Sequence, residues 1–183
     1  FEGGLVGEAD KIEITDNNLA LFPERNNKCL LSADLEGDSL VKIESRKIEL
    51  KESKRLLATD NVLLKYTAPN LSHNISCDSL NWGLNNGKAT GWVQAKFNDI
   101  TAEAKTLSWE SDSYSFLNSA KLEHPSVKAQ AHKIIYNAIS GDIFAIGEGS
   151  TPATLFYEND QTMQGEWIHY NHISQAIKAR RVK

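Results

Sequence analysis

The residues that could do chemistry are few, and their spacing suits none of the common reactions. His169 and His172 stand three apart in the run Ile168-His-Tyr-Asn-His172. On a strand, where successive side chains alternate between faces, that spacing sends the two rings to opposite sides. They cannot chelate one metal, and they read as polar surface groups. Asp34-Leu-Glu36-Gly37-Asp38 has the outline of a calcium loop but lacks the remaining ligands and a terminal bidentate Glu, which makes it a solvated turn. Cys29 and Cys77 have no CxxC or Cys/His spacing for zinc; they are either one disulfide or two thiols, with Cys77 read as a buried thiol at a bend. No nucleophile elbow, P-loop, zinc-protease or dinucleotide fingerprint occurs, so an enzyme is not expected, nor a metal or cofactor.

Apolar bulk is what the chain has in quantity. Trp82, Trp92, Trp109 and Trp167, with Tyr136, Tyr170 and Phe144, either fill a core or hold open a groove for acyl chains. In a groove each buried CH₂ would contribute about 0.8 kcal/mol. Twenty Lys and Arg against 24 Asp and Glu leave a net charge of −4, which disfavours a nucleic-acid partner. Lys178, Arg180, Arg181 and Lys183 nevertheless make the last residues basic, as a solvated tail or as a contact for phosphate or a carboxylate-bearing partner. With 183 residues, 40% hydrophobic and 24% charged, a single folded domain over residues 1–183 is expected. Apolar runs are far too short for a membrane helix. The only methionine is Met163 and the chain starts at Phe1, so a removed signal or anchor segment, and hence export, is expected.

The elements that position this apolar bulk are repeated. A small residue, two mostly polar ones, a branched aliphatic, any residue and a large apolar one recur six times. The copies are Ala9-Asp-Lys-Ile12-Glu-Ile14, Ser45-Arg-Lys-Ile48-Glu-Leu50, Cys77-Asp-Ser-Leu80-Asn-Trp82, Ala104-Lys-Thr-Leu107-Ser-Trp109, Ala131-His-Lys-Ile134-Ile-Tyr136 and Gly165-Glu-Trp-Ile168-His-Tyr170. The aliphatic positions are 36, 32, 27, 27 and 34 residues apart. Within a copy the period is two, which marks a strand with one buried face. Upstream apolar residues such as Ile43, Ile75 and Met163 lie five before the aliphatic, the wrong parity for a straight strand. A corner or bulge at the polar pair restores it, and the small residue then marks close backbone packing.

Polar turns at 51–55, 85–87, 110–113 and 137–141 follow four of the copies, leading into return strands near 57–64, 89–93, 115–120 and 143–146. All four prolines fall between copies. Helical signal is confined to 29–35 and to 173–180, the latter accepting either period. The expected fold is all-β: a twisted jellyroll or solenoid-like stack of repeated antiparallel strand pairs, open at both ends.

Gly165-Glu-Trp-Ile168-His-Tyr170 and Ala131-His-Lys-Ile134-Ile-Tyr136 resemble the Ala/Gly-x-x-Ile-x-Tyr signature of the OstA-like family of periplasmic lipopolysaccharide-transport proteins. The stretch Gly149-Ser-Thr-Pro152-Ala-Thr-Leu-Phe156-Tyr157 leading to Met163-Gln-Gly165 is similar to a segment of its soluble bridge member. The likeness is clearest over residues 72–183. It implies a twisted jellyroll whose apolar groove shields the acyl chains of lipopolysaccharide in the periplasm. It also implies partners that are other jellyrolls of the transport bridge, joined by edge-strand pairing, and an end-to-end homo-oligomer. The 13 residues after Tyr170 are fewer than such members usually carry, which points to a shortened or capping member. The inner-membrane-anchored member carries an N-terminal helix missing here, which a processed chain would lack as well, so that member stays open as an alternative.

On this reading Ile48, Leu50, Leu80, Trp82, Leu107, Trp109, Ile134, Tyr136, Ile168 and Tyr170 line the groove, and the protein is a passive carrier toward the outer membrane. A ligand-free structural solenoid that scaffolds by self-assembly is the rival. A carbohydrate-active β-helix enzyme stands third, because the acidic residues do not recur in register.

Overall fold

In the computed structural model, residues 5–15, 18–23, 27–35, 39–51, 55–69, 71–83, 86–157 and 161–180 are described. Among them the chain forms seventeen strands and no helix, with antiparallel pairing throughout. Contacts divide it into two compact units, Phe1–Asn98 and Asp99–Lys183.

The first unit holds β1 (Leu5–Glu8), β2 (Lys11–Thr15), β3 (Asn18–Phe22), β4 (Cys29–Leu35), β5 (Ser39–Ser45), β6 (Lys47–Lys51), β7 (Arg55–Ala68), β8 (Leu71–Trp82) and β9 (Asn86–Phe97). The last three are long and bend midway, so each gives one half to each of two layers. One layer runs β2-β3-β6-β7-β8-β9 and carries the motif copies; the other runs β1-β4-β5-β7-β8-β9. The second unit holds β10 (Ile100–Glu110), β11 (Ser113–His124), β12 (Val127–Asn137), β13 (Asp142–Ile146), β14 (Ala153–Tyr157), β15 (Gln161–Gly165), β16 (Trp167–Asn171) and β17 (Ala176–Arg180). Its motif layer runs β10-β11-β12-β13-β16-β17 and its other layer β10-β11-β12-β14-β15.

The expected corner is where the polar pair put it. Buried positions run Ile43, Ser45, then Ile48, Leu50; likewise Ile75, Cys77, then Leu80, Trp82; and Ala102, Ala104, then Leu107. The three-residue step at each bend switches parity and keeps one face inside. The return strands bend differently, keeping buried residues four apart at Ala58/Val62, Ala89/Val93 and Phe116/Ala120. Left-handed residues stand between them: Asp60 and Asn61 (φ 67° and 58°), Gly91 (89°), and Asn118 and Ser119 (65° and 58°). The ladders slip by one residue at the same places, as bulges do. At Gly91 a Cβ would also run into the Asp78 side chain, so only glycine fits.

The helical reading of 29–35 is corrected, and 173–180, which accepts either period, takes the strand one. Residues 29–35 are strand β4, because Cys29, Leu31 and Ala33 alternate inward between two paired neighbours, β1 and β5. Residues 173–175 turn, and the rest is strand β17 paired with β16. Tertiary pairing overrides weak local preference here. The four return strands are found, each extending further than expected. Pro23, Pro69, Pro125 and Pro152 lie outside strands. Residues 36–38 of the calcium-like loop, 52–54 and 85 of two turns, and Arg181 and Lys183 of the basic tail lie outside the described residues.

Candidate functional site

Cross-strand register aligns the motif side chains into rows. In the first unit one row steps through Ile12, Leu21, Ile48, Ala58, Leu80 and Ala89, and the next through Ile14, Leu19, Leu50, Leu56, Trp82 and Gly87. In the second, the rows are Leu107, Phe116, Ile134, Ala145, Ile168, Ala179 and Trp109, Tyr114, Tyr136, Ile143, Tyr170, Ile177. The ten groove residues therefore divide, with Ile48, Leu50, Leu80 and Trp82 in one interior and the other six in the second. All are buried except Trp109, which is half-buried. Leu80, Leu107 and Ile134 expose nothing, so in this conformation both interiors are filled by the protein's own side chains.

At the β2 edge of the first unit the inward face loses its cover. Ile12 and Ile14 share that face with Leu21 and Leu19 yet are 51% and 75% exposed. In each unit two strands have a paired neighbour on one side alone among the described residues: β1 and β2 in the first, β15 and β17 in the second.

The cysteines are free, buried thiols. Burial pushes Cys77 up to about 12, and its Sγ donates to the Ser79 carbonyl at 3.4 Å. Burial also raises Cys29. Such thiols are inert. Among the described residues no cluster of three metal-ligating side chains occurs.

His169 and His172 part company, though not as two surface groups. The His169 ring stacks on Phe144 at 4.3 Å, and its Nε2 lies 2.7 Å from Asp142 Oδ1. Hydrogen bonds from Asn171 and Ser140, with that to His169, hold the Asp142 carboxyl well below the usual range. His172 sits 4.5 Å from the His124 ring, and its buried Nε2 has no hydrogen-bond partner in the structure. Burial, then the nearby His172, lowers the His124 pKa, with Asp99 acting the other way. This pair was missed from sequence. A usable signal was the tetrapeptide following two motif copies, Asn137-Ala-Ile-Ser140 and Asn171-His-Ile-Ser174.

No protein family and no curated protein matches the sequence. Among solved structures the chain is similar to LptH, described as the LptA-homologous periplasmic component of the conserved lipopolysaccharide transport device from Pseudomonas aeruginosa. The two share 11% identity with a TM-score of 0.35, over 89% of this chain and 94% of that one.

Proposed function

We propose that this protein is a non-enzymatic periplasmic carrier of lipopolysaccharide, in which acyl chains enter between the two layers and free strand edges pair with neighbouring jellyrolls. The observation that supports it is the pair of inward rows in each unit, apolar from strand to strand, with the first pair running out to uncovered Ile12 and Ile14 at the β2 edge. The motif copies ending at Tyr136 and Tyr170, with their likeness to the OstA-like signature, favour the same reading. Action of the whole chain as one jellyroll domain, end-to-end self-association and a periplasmic location belong to this proposal. Directional movement would come from an energised partner.

The test is saturable, blue-shifting tryptophan fluorescence with lipopolysaccharide, read at Trp82 and Trp109, and little change with a phosphorylated sugar lacking acyl chains. Trp167→Phe should preserve the response, because Trp167 is an outward residue. The scaffold reading keeps one observation in its favour, the filled interiors. Absence of any lipid response would decide for it.

A further inference from the structure

The tips of the two layers meet in the second unit, and their chemistry is unlike anything else in its interior. His124 ends β11 and Ser126 lies in the turn to β12, both at the tip of one layer; Tyr170 and His172 stand at the end of β16, at the tip of the other. Tyr170 Oη donates to Ser126 Oγ at 3.4 Å, and the His124 and His172 rings touch across the same gap. Ser126 N–H donates to His124 Nδ1 at 3.2 Å, with Ser126 Oγ 2.8 Å from the same nitrogen, which assigns the ring proton to Nε2 and the ring to the neutral form.

The lip carrying His172 is built twice from one motif. Asn137 Oδ1 accepts the backbone N–H groups of Ile139 and Ser140, and Asn171 Oδ1 those of Ile173 and Ser174. Asn171 Nδ2 also donates to the Ser140 carbonyl at 2.7 Å, tying the loops together. These rigid turns hold Ile139 and Ile173 out in solvent, 73% and 67% exposed. Two large aliphatic side chains thus stand largely in water at the edge of an apolar interior.

We infer that this lip is the port through which an acyl chain enters the second unit, with Ile139 and Ile173 as the first apolar contact and the His124–His172 contact as a latch that holds while His124 Nδ1 accepts from Ser126. The inference rests on the carrier reading above. An acyl chain is the occupant the surroundings select, because each isoleucine follows by three residues a tyrosine, Tyr136 or Tyr170, of the buried inward row that also holds Ile143. Protonating His124 at Nδ1 removes the lone pair that accepts the Ser126 N–H and sets a cation against the His172 ring, which loosens the tips. The groups facing the pair are Tyr136, Tyr170, Ser126, and Asp99, whose charge favours protonation of His124. The unsatisfied Nε2 of His172 leaves the closed latch short of one hydrogen bond, which opening would supply from water.

The experiment measures lip separation and lipid uptake independently. Spin labels at Glu123→Cys and Ala176→Cys report the distance between tips without ligand, and stopped-flow fluorescence reports association of purified lipopolysaccharide. From about pH 7.5 to about pH 5.5 the tip distance should grow and association should accelerate about fivefold or more. In His124→Phe/His172→Phe neither should depend on pH; His172→Gln serves as the second variant if the phenylalanine pair fails to fold. Ile139→Asp/Ile173→Asp should slow association about tenfold with Tm held within about 2 °C. A tip distance that ignores pH in the native protein, or an aspartate variant that associates at the native rate, overturns the port. Tips that open with acid while no lipid binds at either pH leave the latch standing and remove the carrier reading instead.

Discussion

The two units have the same kind of interior and differ in what stands on the outer side of their motif copies. On the outer side of the first unit's motif layer, Lys11 pairs with Glu13 and Lys47 with Glu49, each at 2.6 Å, and Lys51 reaches Glu49 at 3.7 Å. Both Lys11 and Lys47 lie over the Phe22 ring, at 5.8 and 5.6 Å, so that ring is capped by charge. On the same side of the second unit, Ile135, Phe144, Ile146 and Trp167 stand next to one another, with Phe144 and Trp167 more than a third exposed. The motif constrains the two inward positions of each copy and leaves the middle one free: Glu13 and Glu49 in one unit, Ile135 and His169 in the other. Strand β13, apolar without alternation from Ile143 to Ile146, has the composition of a strand covered on both sides.

If interiors are equivalent, breaking either should cost alike, and this is the largest effect expected. Ile48→Asp and Leu107→Asp each place a carboxylate at a fully buried apolar position, at several kcal/mol. Chemical denaturation should find both variants largely unfolded; a variant that keeps native stability would mean that its unit opens freely to solvent.

Next in size are the corners. Gly91→Val meets both a left-handed backbone and the Asp78 side chain, and should lose about 2 kcal/mol or more. Gly149→Ala, left-handed but in open space, should lose about 1 kcal/mol. Equal melting temperatures for the two would remove the steric part of the corner account.

Acid should then separate the units. The pKa of His124 is lowered in the folded state, so the unfolded chain takes up that proton first, and the stabilisation is lost as pH falls through the ordinary histidine value toward the depressed one. The Glu49 carboxyl, lowered first by its hydrogen bond from Lys47, gives the first unit a loss that begins only in the carboxylate range. Hydrogen exchange across the titration should show the β11–β12 turn loosening before β6.

The smallest effect concerns the exteriors themselves. Glu49→Gln should cost no more than about 1 kcal/mol, and less in high salt, whereas Ile135→Glu should leave stability within a similar margin and be indifferent to salt. A larger loss for Ile135→Glu would show that the outer apolar patch packs against something in solution.

Strands, inward faces and bends were legible because each leaves a periodic trace: Ile48/Leu50 and Leu80/Trp82 announce period two, and Ser45 or Cys77 marks where parity must change. Strand β4 was not, since Cys29 to Leu35 is too short for its alternation to outweigh an equally good helical spacing. The His124–His172 contact was illegible for another reason. His124 and His172 lie 48 residues apart in sequence and meet only because β11 bends at Asn118-Ser119 and the strands that follow it stack in register.

The left-handed corners also bear on how the chain avoids misfolding. Six similar motif copies in one polypeptide invite the wrong partners to zip together, or the right ones to slip by two and still bury the same kind of face. Asp60-Asn61 and Asn118-Ser119 resist this, because a slipped ladder would force the positive-φ bulge onto bulkier neighbours such as Val62 or Leu117, at about 1–2 kcal/mol per residue. Each corner thus acts as a proofreading mark, accepting the partner whose bend falls at the same height and rejecting look-alikes elsewhere in the chain.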